Sequence, residues 1–580
     1  FFFICPAPTV IYPLSLHDAL PIYWHPPRER GEPDRGNGDV FALLLARNGR
    51  LHTALGSTFV EFDLEGRTWT FSAELDGLPM SFAEAPDGTV FCASYPRSRL
   101  FRFNPETRAF DDLGRLDPRE QYPTSLVAGA DGWVYAGIGT ARSNLVAFNV
   151  ATKELRQLAD EGQRQRGDGS VHLATDGHVY GRASSTAPWL RLEGGEAVPV
   201  EGNPSGRAPS GAIRWAQTLS AFPGGGRIVS FSLPDKLAEV ELDGQVRQIA
   251  FDYQSNGAGV SSLVAGPDGR IYGSTNHPMH FFAIDPADGK LTDHGGIAAV
   301  GGGNFPAFAV SGQQLVAASY SAGALYLFDT TRAWTLPDRG TAVPAGQPPA
   351  APNPRLLGRF PEVSRPRAAL ALPDGRVLLT GYGGYGVTGG GIVTYDPATR
   401  AAQAVPADRV LPGHSPIALR CLDPSTVVGA TSVTAPGGGM VVAEAAEIFL
   451  WDAATQTVQF RVAPVPEARL IPGLEVGADE RVYGLTNTAC FFVFDPKTRE
   501  VVHRADWSAW GTPFSPGHPL WRAEDGTICA LLPRRLLRVQ PDFTAEPIAE
   551  FPVDVTAGGV SLGGRLYVAS GPQVYSVRLP

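Results

Sequence analysis

The chain has 580 residues, 43% of them hydrophobic, which is enough for two to four domains with cores of their own. Its 67 glycines and 51 prolines are spread through this hydrophobic background, a composition typical of frequent turns rather than of disorder. A net charge of −10 without any Lys/Arg cluster argues against a nucleic-acid or anionic-membrane surface, and no apolar stretch beyond residue 23 is long enough to span a bilayer.

The first 23 residues are interpreted as foreign to the protein. Leu14–Ile22 reads LSLHDALPI, which resembles the translation of a widely used sequencing adapter, and the first methionine is Met80. A hydrophobic leader is the other interpretation, but four prolines interrupt the segment and no basic start precedes it. We therefore exclude Phe1–Tyr23 from the fold and expect that the authentic N-terminus is missing from this sequence.

From residue 38 onward, a repeat recurs twelve times at intervals of 38 to 63 residues. The repeat unit consists of an apolar strand, a tight turn often reading Asp-Gly, a second strand often reading Val-Tyr-Gly, a third strand often ending in Asp-Pro and a polar fourth strand. The clearest copies begin at Pro86, Ala130, Pro267 and Ala478. Asp-Gly supplies the positive φ angles of a two-residue hairpin, and a period of about 40–50 residues with four strands is typical of propeller blades. We predict an all-β chain, a tandem β-propeller of about twelve four-stranded blades.

A Pro-rich stretch interrupts the repeats. It contains TLPDRGTAVPAGQPPAAPNP, lacks the alternation of a strand, and is typical of a linker over residues 334–357. We expect an N-terminal propeller of about seven blades over 38–333 and a C-terminal propeller of about five over 358–580. Five blades are few for a ring, so strands from the N-terminus could complete it; a single closure over the whole chain is the alternative.

The repeats and their Asp-Pro corners, Asp285–Lys290 and Asp495–Glu500, resemble those of bacterial tandem propellers of the quinoprotein-like and NHL/gluconolactonase-like superfamily. The resemblance covers nearly the whole chain after residue 38 and implies the fold alone. Quinoprotein repeats carry a tryptophan after this corner and these do not, so no quinone is expected; only Trp451-Asp452 is similar to a WD repeat. We expect an extracellular or periplasmic location.

Several short motifs are interpreted as structural. Gly381–Gly386 matches G-x-G-x-x-G, but the chain continues as a strand rather than the helix that would hold a pyrophosphate. Gly559–Gly563 matches G-x-S-x-G but runs into a hairpin. His277 and His280 flank Pro278, which forbids a helix that would align them. The four cysteines after residue 23 are far apart, so neither a disulfide framework nor a zinc site is indicated; we predict no cofactor and no metal.

The candidate site follows from the geometry of a propeller, in which inner-strand starts and the loops from strand two to strand three lie on one face around the central funnel. In the first ring this mapping gathers the catalytic candidates His172, His277, Tyr95 and Tyr122 and the ligand-binding candidates Arg97, Arg142, Asn304 and Tyr320. In the second group it gathers Arg365, Arg367, His414 and His518.

Such a set suits uronic acids, because arginine neutralises the carboxylate, histidine or tyrosine removes the C5 proton, and tyrosine protonates the leaving oxygen. It is similar to the set of propeller-fold polysaccharide lyases. We expect a β-propeller that binds a glycan or a protein on its funnel face; the alternative is a lyase acting on uronate-containing glycan. The sequence leaves open whether the protein is an enzyme and which oligomeric state it adopts, and it predicts no nucleic-acid or membrane partner.

The interpretation of the N-terminal segment is testable. Deleting Phe1–Tyr23 should leave the melting temperature unchanged, because a segment that was never selected to bury surface adds no packing. Thermal unfolding followed by circular dichroism measures this, and a large loss of stability would show that the segment belongs to the fold.

Overall fold

A computed structural model describes residues 40–578 apart from positions 67, 215–225, 233–236, 251–256, 277–278, 298–302, 321, 337–351, 515–516 and 524. Phe1–Tyr23, His277 and most of the Pro-rich stretch lie outside the described residues. The described chain forms 48 strands in twelve antiparallel sheets, most of them four-stranded, which confirms the predicted tandem β-propeller fold. Its helices are single turns: Glu161–Gln163, Pro361–Val363, Ala407–Val410 and Ser508–Trp510.

Two compact units make up the described chain, an N-terminal unit over residues 40–250 and a C-terminal unit over 257–578. The N-terminal unit has five sheets. Its strands are β1 (Ala42–Leu45), β2 (Arg50–Leu55), β3 (Thr58–Asp63), β4 (Thr68–Glu74) and β18 (Ala212–Arg214) in sheet 1; β5 (Leu78–Glu84), β6 (Val90–Tyr95), β7 (Arg99–Phe103) and β8 (Phe110–Arg115) in sheet 2; β9 (Tyr122–Ala128), β10 (Trp133–Thr140), β11 (Asn144–Asn149), β12 (Leu155–Gln157) and β13 (Gly167–Asp168) in sheet 3; β14 (Ser170–Leu173), β15 (Val179–Arg182), β16 (Leu190–Glu193) and β17 (Glu196–Pro199) in sheet 4; and β19 (Arg227–Ser232), β20 (Leu237–Leu242) and β21 (Gln245–Ala250) in sheet 5.

The C-terminal unit has seven sheets. Its strands are β22 (Gly259–Ala265), β23 (Ile271–Asn276), β24 (Phe281–Ile284) and β25 (Leu291–Asp293) in sheet 6; β26 (Phe308–Ser311), β27 (Gln314–Ser319), β28 (Ala324–Asp329) and β29 (Arg355–Arg359) in sheet 7; β30 (Arg365–Ala371), β31 (Val377–Tyr382), β32 (Ile392–Asp396) and β33 (Ala401–Val405) in sheet 8; β34 (Ser415–Cys421), β35 (Thr426–Ser432), β36 (Ile448–Asp452) and β37 (Thr457–Val462) in sheet 9; β38 (Gly473–Val476), β39 (Val482–Leu485), β40 (Cys490–Asp495) and β41 (Glu500–Asp506) in sheet 10; β42 (Leu520–Arg522), β43 (Ile528–Leu532), β44 (Arg535–Val539) and β45 (Ala545–Glu550) in sheet 11; and β46 (Ala557–Leu562), β47 (Arg565–Ser570) and β48 (Gln573–Arg578) in sheet 12.

Each sheet of the C-terminal unit packs its apolar face on the next, and the last sheet packs on the first. Buried apolar clusters lie between every consecutive pair from sheet 6 to sheet 12. A further cluster joins Val260 and Ile271 of sheet 6 to Ala557 and Tyr567 of sheet 12. The amide of Val260 also donates to the carbonyl of Gly571 at 2.8 Å. The seven sheets therefore form a closed ring.

The N-terminal unit is built by the same packing. Phe59 of sheet 1 and Phe82 of sheet 2 share one buried cluster, and equivalent clusters join sheet 2 to sheet 3 and sheet 3 to sheet 4. After sheet 4 the chain returns to sheet 1, where β18 pairs with β1.

The division into units differs from the expected one, which placed about seven blades over 38–333 and about five over 358–580. β28 ends at Asp329, β29 begins at Arg355 near the end of the Pro-rich stretch, and the two strands pair with each other in sheet 7. The stretch therefore connects the third and fourth strands of one blade, and the five-sheet unit comes first in the chain.

The Val-Tyr-Gly motif of the second strand has a steric cause. Gly273, Gly429 and Gly484 each lie directly opposite a phenylalanine of the third strand. A Cβ atom on Gly484 would come within 2.0 Å of the Phe492 ring. Glycine is required here because the aromatic ring of the neighbouring strand occupies the space of a side chain.

The tyrosine of the same motif fixes the preceding turn. Tyr483 donates its hydroxyl hydrogen to Asp479 Oδ2 at 3.0 Å, while Asp479 Oδ1 accepts the amide of Arg481 at 3.2 Å. The same tyrosine–aspartate bond, four residues apart, recurs in sheets 3, 4 and 6. Burial and the Asp479 carboxylate raise the pKa of Tyr483, so the hydroxyl remains a donor. One side chain thus ties strand two to its turn.

Tyr483→Phe should lower the free energy of unfolding by about 1–3 kcal/mol, because it removes a hydrogen bond to a carboxylate. Tyr567→Phe is the matched control: Tyr567 is as buried, but position 563 of its turn is glycine and offers no carboxylate. Urea unfolding of both variants measures the difference. Equal losses would show that the tyrosine–aspartate bond contributes nothing specific.

Candidate functional site

A cluster of tyrosines and arginines lies where sheets 7 and 8 meet. Arg365 begins the inner strand β30, Tyr320 directly follows β27, and Tyr385 lies in the loop after β31. The Arg365 guanidinium carbon is 4.3 Å from the centre of the Tyr385 ring and 5.4 Å from that of Tyr320. The two tyrosine hydroxyls are 3.3 Å apart. Arg365 is only 7% exposed, whereas Tyr385 is 47% exposed, so the cation lies beneath a tyrosine that reaches solvent.

Arg367 and Tyr382 extend this cluster along the same strand pair. The Arg367 guanidinium carbon is 5.2 Å from the centre of the Tyr382 ring, and Nη1 donates to the carbonyl of Pro366 at 2.8 Å. Arg367 Nε is buried and has no hydrogen-bond partner. Burial, together with the nearby charge of Arg365, lowers the pKa of Arg367. Tyr320, Arg365, Arg367, Tyr382 and Tyr385 are called the Arg365 site below.

The charge of the Arg365 site is not balanced by protein carboxylates. Within the described part of the chain, no Asp or Glu lies within ion-pair distance of Arg365 or Arg367. Tyrosine rings attract a cation but do not neutralise it, and a buried charge is costly unless it is paired. The site therefore favours an anion that would supply the missing negative charge.

Two glycine-containing loops close over the Arg365 site. The amide of Gly386 donates to the carbonyl of Gly437 at 2.9 Å, and the Thr388 hydroxyl donates to the carbonyl of Met440 at 2.7 Å. A Cβ atom on Gly437 would lie 2.8 Å from Arg365 Nη1 and 2.9 Å from the backbone oxygen of Gly384, so glycine permits this close approach. The segment 381–386, with its G-x-G-x-x-G pattern, connects β31 to β32 and carries two tyrosines of the site.

Two residues that the sequence analysis expects on the funnel face lie in or beside the Arg365 site. Tyr320 belongs to the site, and the carbonyl of Asn304 accepts the Tyr320 amide at 2.8 Å. Arg365 was expected on the same kind of face but in another ring, because the Pro-rich stretch was interpreted as a domain boundary. His277 lies outside the described residues.

In the N-terminal unit, two of the predicted tyrosines meet. The ring centres of Tyr95 and Tyr122 are 4.5 Å apart. Arg97 lies two residues beyond Tyr95, and its guanidinium pairs with Asp76 at 2.7 Å. Arg97 is therefore already bound to a carboxylate of the protein.

The other predicted residues of this unit have different partners. Arg142 pairs with Glu161 at 2.5 Å, and its amide donates to Glu120 at 2.9 Å. His172 contacts Trp189 and Tyr180 of its own sheet, with ring centres 5.1 and 6.2 Å apart. No described contact joins His172 to Tyr95 or Tyr122. A base, a tyrosine and a free arginine are thus not gathered at one point among these residues, and the lyase assignment stays a prediction.

Of the two histidines expected at inner-strand starts of the C-terminal unit, His414 is buried and His518 is partly buried. His414 Nδ1 lies 3.1 Å from the Thr431 hydroxyl, and burial lowers its pKa. His518 Nδ1 has no hydrogen-bond partner. Burial, with a smaller effect of Arg420, lowers the pKa of His518 to about 3. Both histidines are neutral at pH 7 in the folded protein.

His518 should make stability depend on pH. Its pKa is about 3 when folded and 6.5 in the unfolded reference, so the unfolded chain binds the extra proton between these values. The free energy of unfolding should therefore fall as pH drops from 6.5 toward 3. His518→Asn should reduce this slope in urea unfolding measured across the range, and an unchanged slope would contradict the burial of a neutral imidazole.

Across the described residues no three His, Cys, Asp or Glu side chains are placed to hold a metal ion together. None of the helices within them is long and apolar enough to cross a bilayer.

The comparisons with known proteins add nothing about function. No protein-family model and no curated protein matches the chain. Among solved structures, an extracellular domain from B. thetaiotaomicron, described as part of a one-component system, is 13% identical with a TM-score of 0.34 over 92% of this chain and 63% of its own. Streptogramin B lyase is 12% identical with a TM-score of 0.40, over 56% of this chain and 95% of its own. PorZ, a surface component of the type-IX secretion system of Porphyromonas gingivalis, is 12% identical with a TM-score of 0.38, over 91% and 72%.

These neighbours contain β-propeller-like domains, and the chain spans less than two thirds of the first. The twelve antiparallel sheets of the described residues define a β-propeller repeat protein. Its narrower assignment to the quinoprotein-like or NHL/gluconolactonase-like superfamily stays a prediction.

Proposed function

We propose that the protein binds an acidic glycan, and that the Arg365 site holds a uronate carboxylate of that glycan. The supporting observation is a pair of largely buried guanidinium groups without a carboxylate partner in the described chain. Because these two positive charges have no negative partner among the described residues, we expect the Arg365 site to bind an anion. An extracellular or periplasmic location suits such a ligand and is proposed with it.

The geometry of the site favours a carboxylate ligand over a spherical anion. Arginine presents parallel N–H groups that match the two oxygens of a carboxylate. The rings of Tyr320 and Tyr385 hold the Arg365 guanidinium in place before any ligand arrives, so little side-chain entropy is lost on binding. Arg367 adds a second positive charge from the same strand.

The tyrosines provide contacts for the ring and the hydroxyl groups of a sugar. Tyr385 is half exposed and borders the cation, so its ring offers an apolar surface beside the carboxylate position. The hydroxyls of Tyr320 and Tyr385 lie side by side, and each is both a donor and an acceptor for sugar hydroxyls.

Arg365→Gln should weaken binding of uronate oligosaccharides by about 10- to 100-fold, the loss expected for charge-assisted hydrogen bonds. Arg365→Lys should recover only part of it, because an ammonium lacks the paired N–H groups. Isothermal titration calorimetry with acidic oligosaccharides, and with neutral ones of equal length, measures both effects.

Arg499→Gln is the matched control. The Arg499 guanidinium also lies over an aromatic ring, that of Phe460, at 5.2 Å, but Arg499 belongs to the turn between strands three and four, at the other edge of its sheet. Equal binding of neutral and acidic oligosaccharides, or unchanged binding by Arg365→Gln, would refute the proposal. Formation of an unsaturated, ultraviolet-absorbing product would instead support the lyase alternative.

A further inference from the structure

Ser170, His172, Arg182 and Trp189 form a second polar cluster, called the His172 cluster, on sheet 4 of the N-terminal unit. We propose that it is a binding site for an oxyanion group, independent of the Arg365 site in the other unit. The ligand group is a carboxylate, phosphate or sulfate.

The register of sheet 4 puts these side chains on one face. Ser170 of β14 pairs with Arg182 of β15, and His172 pairs with Tyr180. Directly paired residues in antiparallel strands project from the same face. The residue between them, Val171, projects from the opposite face into the apolar cluster shared with sheet 3.

Trp189 brings the imidazole and the guanidinium together. The His172 ring packs against the edge of the indole, with ring centres 5.1 Å apart and an angle of 83° between the planes. The Arg182 guanidinium carbon lies 4.7 Å from the centre of the same indole. One aromatic ring therefore positions two nitrogen-bearing groups.

The polar atoms of the His172 cluster are buried without partners. Ser170 Oγ, His172 Nδ1 and Arg182 Nε are inaccessible to solvent and make no hydrogen bond, and His172 as a whole is only 8% exposed. Unsatisfied buried polar atoms are uncommon in folded proteins, and an ordered water or a bound ion is a common explanation for them. Three on neighbouring positions of two paired strands indicate a common partner.

That partner is an acceptor with negative charge. Arg182 Nη1 donates to the carbonyl of Ser185 at 3.0 Å, which leaves the Nε–H side of the guanidinium for a ligand. Arginine N–H and serine O–H groups are donors, and imidazole donates from Nδ1 in one tautomer and in its protonated form.

The charged groups around the His172 imidazole also favour an anionic ligand. After burial, Arg207 and Arg182 are the largest influences lowering the pKa of His172, and Asp176 opposes them. Asp176 is already engaged by the Tyr180 hydroxyl and the His178 amide, both at 3.0 Å. Cations therefore dominate the surroundings of His172, and an oxyanion would offset them.

The test is a histidine NMR titration of the full chain, with the His172 signal assigned by its loss in His172→Gln. Phosphate, sulfate and acetate are added separately against chloride at equal ionic strength. Binding should raise the pKa of His172, because an adjacent anion favours the imidazolium. A response to acetate indicates a carboxylate ligand, and one confined to phosphate or sulfate indicates a tetrahedral oxyanion.

Two variants and a control make the result specific. Arg182→Gln should abolish the anion-induced shift, and Ser170→Ala, which removes only a hydroxyl, should weaken anion affinity a few-fold while the fold is retained. Arg156→Gln should leave the shift intact, because Arg156 also lies over an indole, that of Trp133 at 4.9 Å, but is ion-paired with Glu154.

An unchanged His172 pKa with all three anions at about 10 mM, a concentration that would occupy even a millimolar site, would overturn the proposal. Equal shifts in wild type, Ser170→Ala and Arg182→Gln would overturn it as well. Neither result depends on glycan binding by the C-terminal unit, so the two proposals fail separately.

Discussion

The packing of each sheet's apolar face on the next is the interaction on which the rest of the structure depends. A single four-stranded sheet of this chain has polar outer strands and a large apolar surface that only a neighbouring sheet can cover. In the C-terminal unit every sheet has a neighbour on each side. The ring is completed by Val260 and Ile271 of sheet 6, which pack against Ala557 and Tyr567 of sheet 12. Without that contact two apolar faces would be exposed to water, at about 25 cal/mol for each Å² of apolar surface.

Ring closure also creates the conditions for binding. It fixes neighbouring sheets at a constant spacing, so that the end of β27, the start of β30 and the loop after β31 meet at one edge. At this edge the Arg365 guanidinium lies against two tyrosine rings, and no carboxylate of the described chain neutralises it. A flexible loop would relieve such an unbalanced charge by turning it toward solvent. The strain of an uncompensated buried cation is therefore the feature that most directly suggests a ligand.

The sequence predicted the all-β fold and the twelve repeats because both depend on local signals. Asp268 followed by glycine marks a turn, and Tyr272 four residues after the aspartate marks the second strand; the structure joins the two by a hydrogen bond of 2.8 Å. The division into units was not predicted, because β28 pairs with β29 although a Pro-rich stretch without periodicity separates them in the chain. Composition indicates that such a stretch is irregular, but it does not predict whether the strands on its two sides pair in one sheet.

The candidate site was predicted in part for the same reason. The rule that inner-strand starts share a face with the loop from strand two to strand three placed Tyr320 and Arg365 on funnel faces. It does not bring them together, because interpreting the Pro-rich stretch as a linker assigns them to different rings. Tyr382 and Tyr385 belong to a glycine-rich segment whose pattern predicts a loop and gives no sign of a binding site. Position in the repeat does not predict the contacts of His172, since these are set by the face of β14 from which it projects.

Sheets 6 to 12 form one closed ring, in which sheet 12 depends on sheet 6 for a packing partner. Urea unfolding of two fragments, 255–580 and 358–580, tests this dependence. We expect 255–580 to unfold in one cooperative transition, while 358–580, which lacks sheets 6 and 7 and therefore the partner of sheet 12, should not fold. A fragment 358–580 that unfolds cooperatively with the same free energy as 255–580 would contradict it.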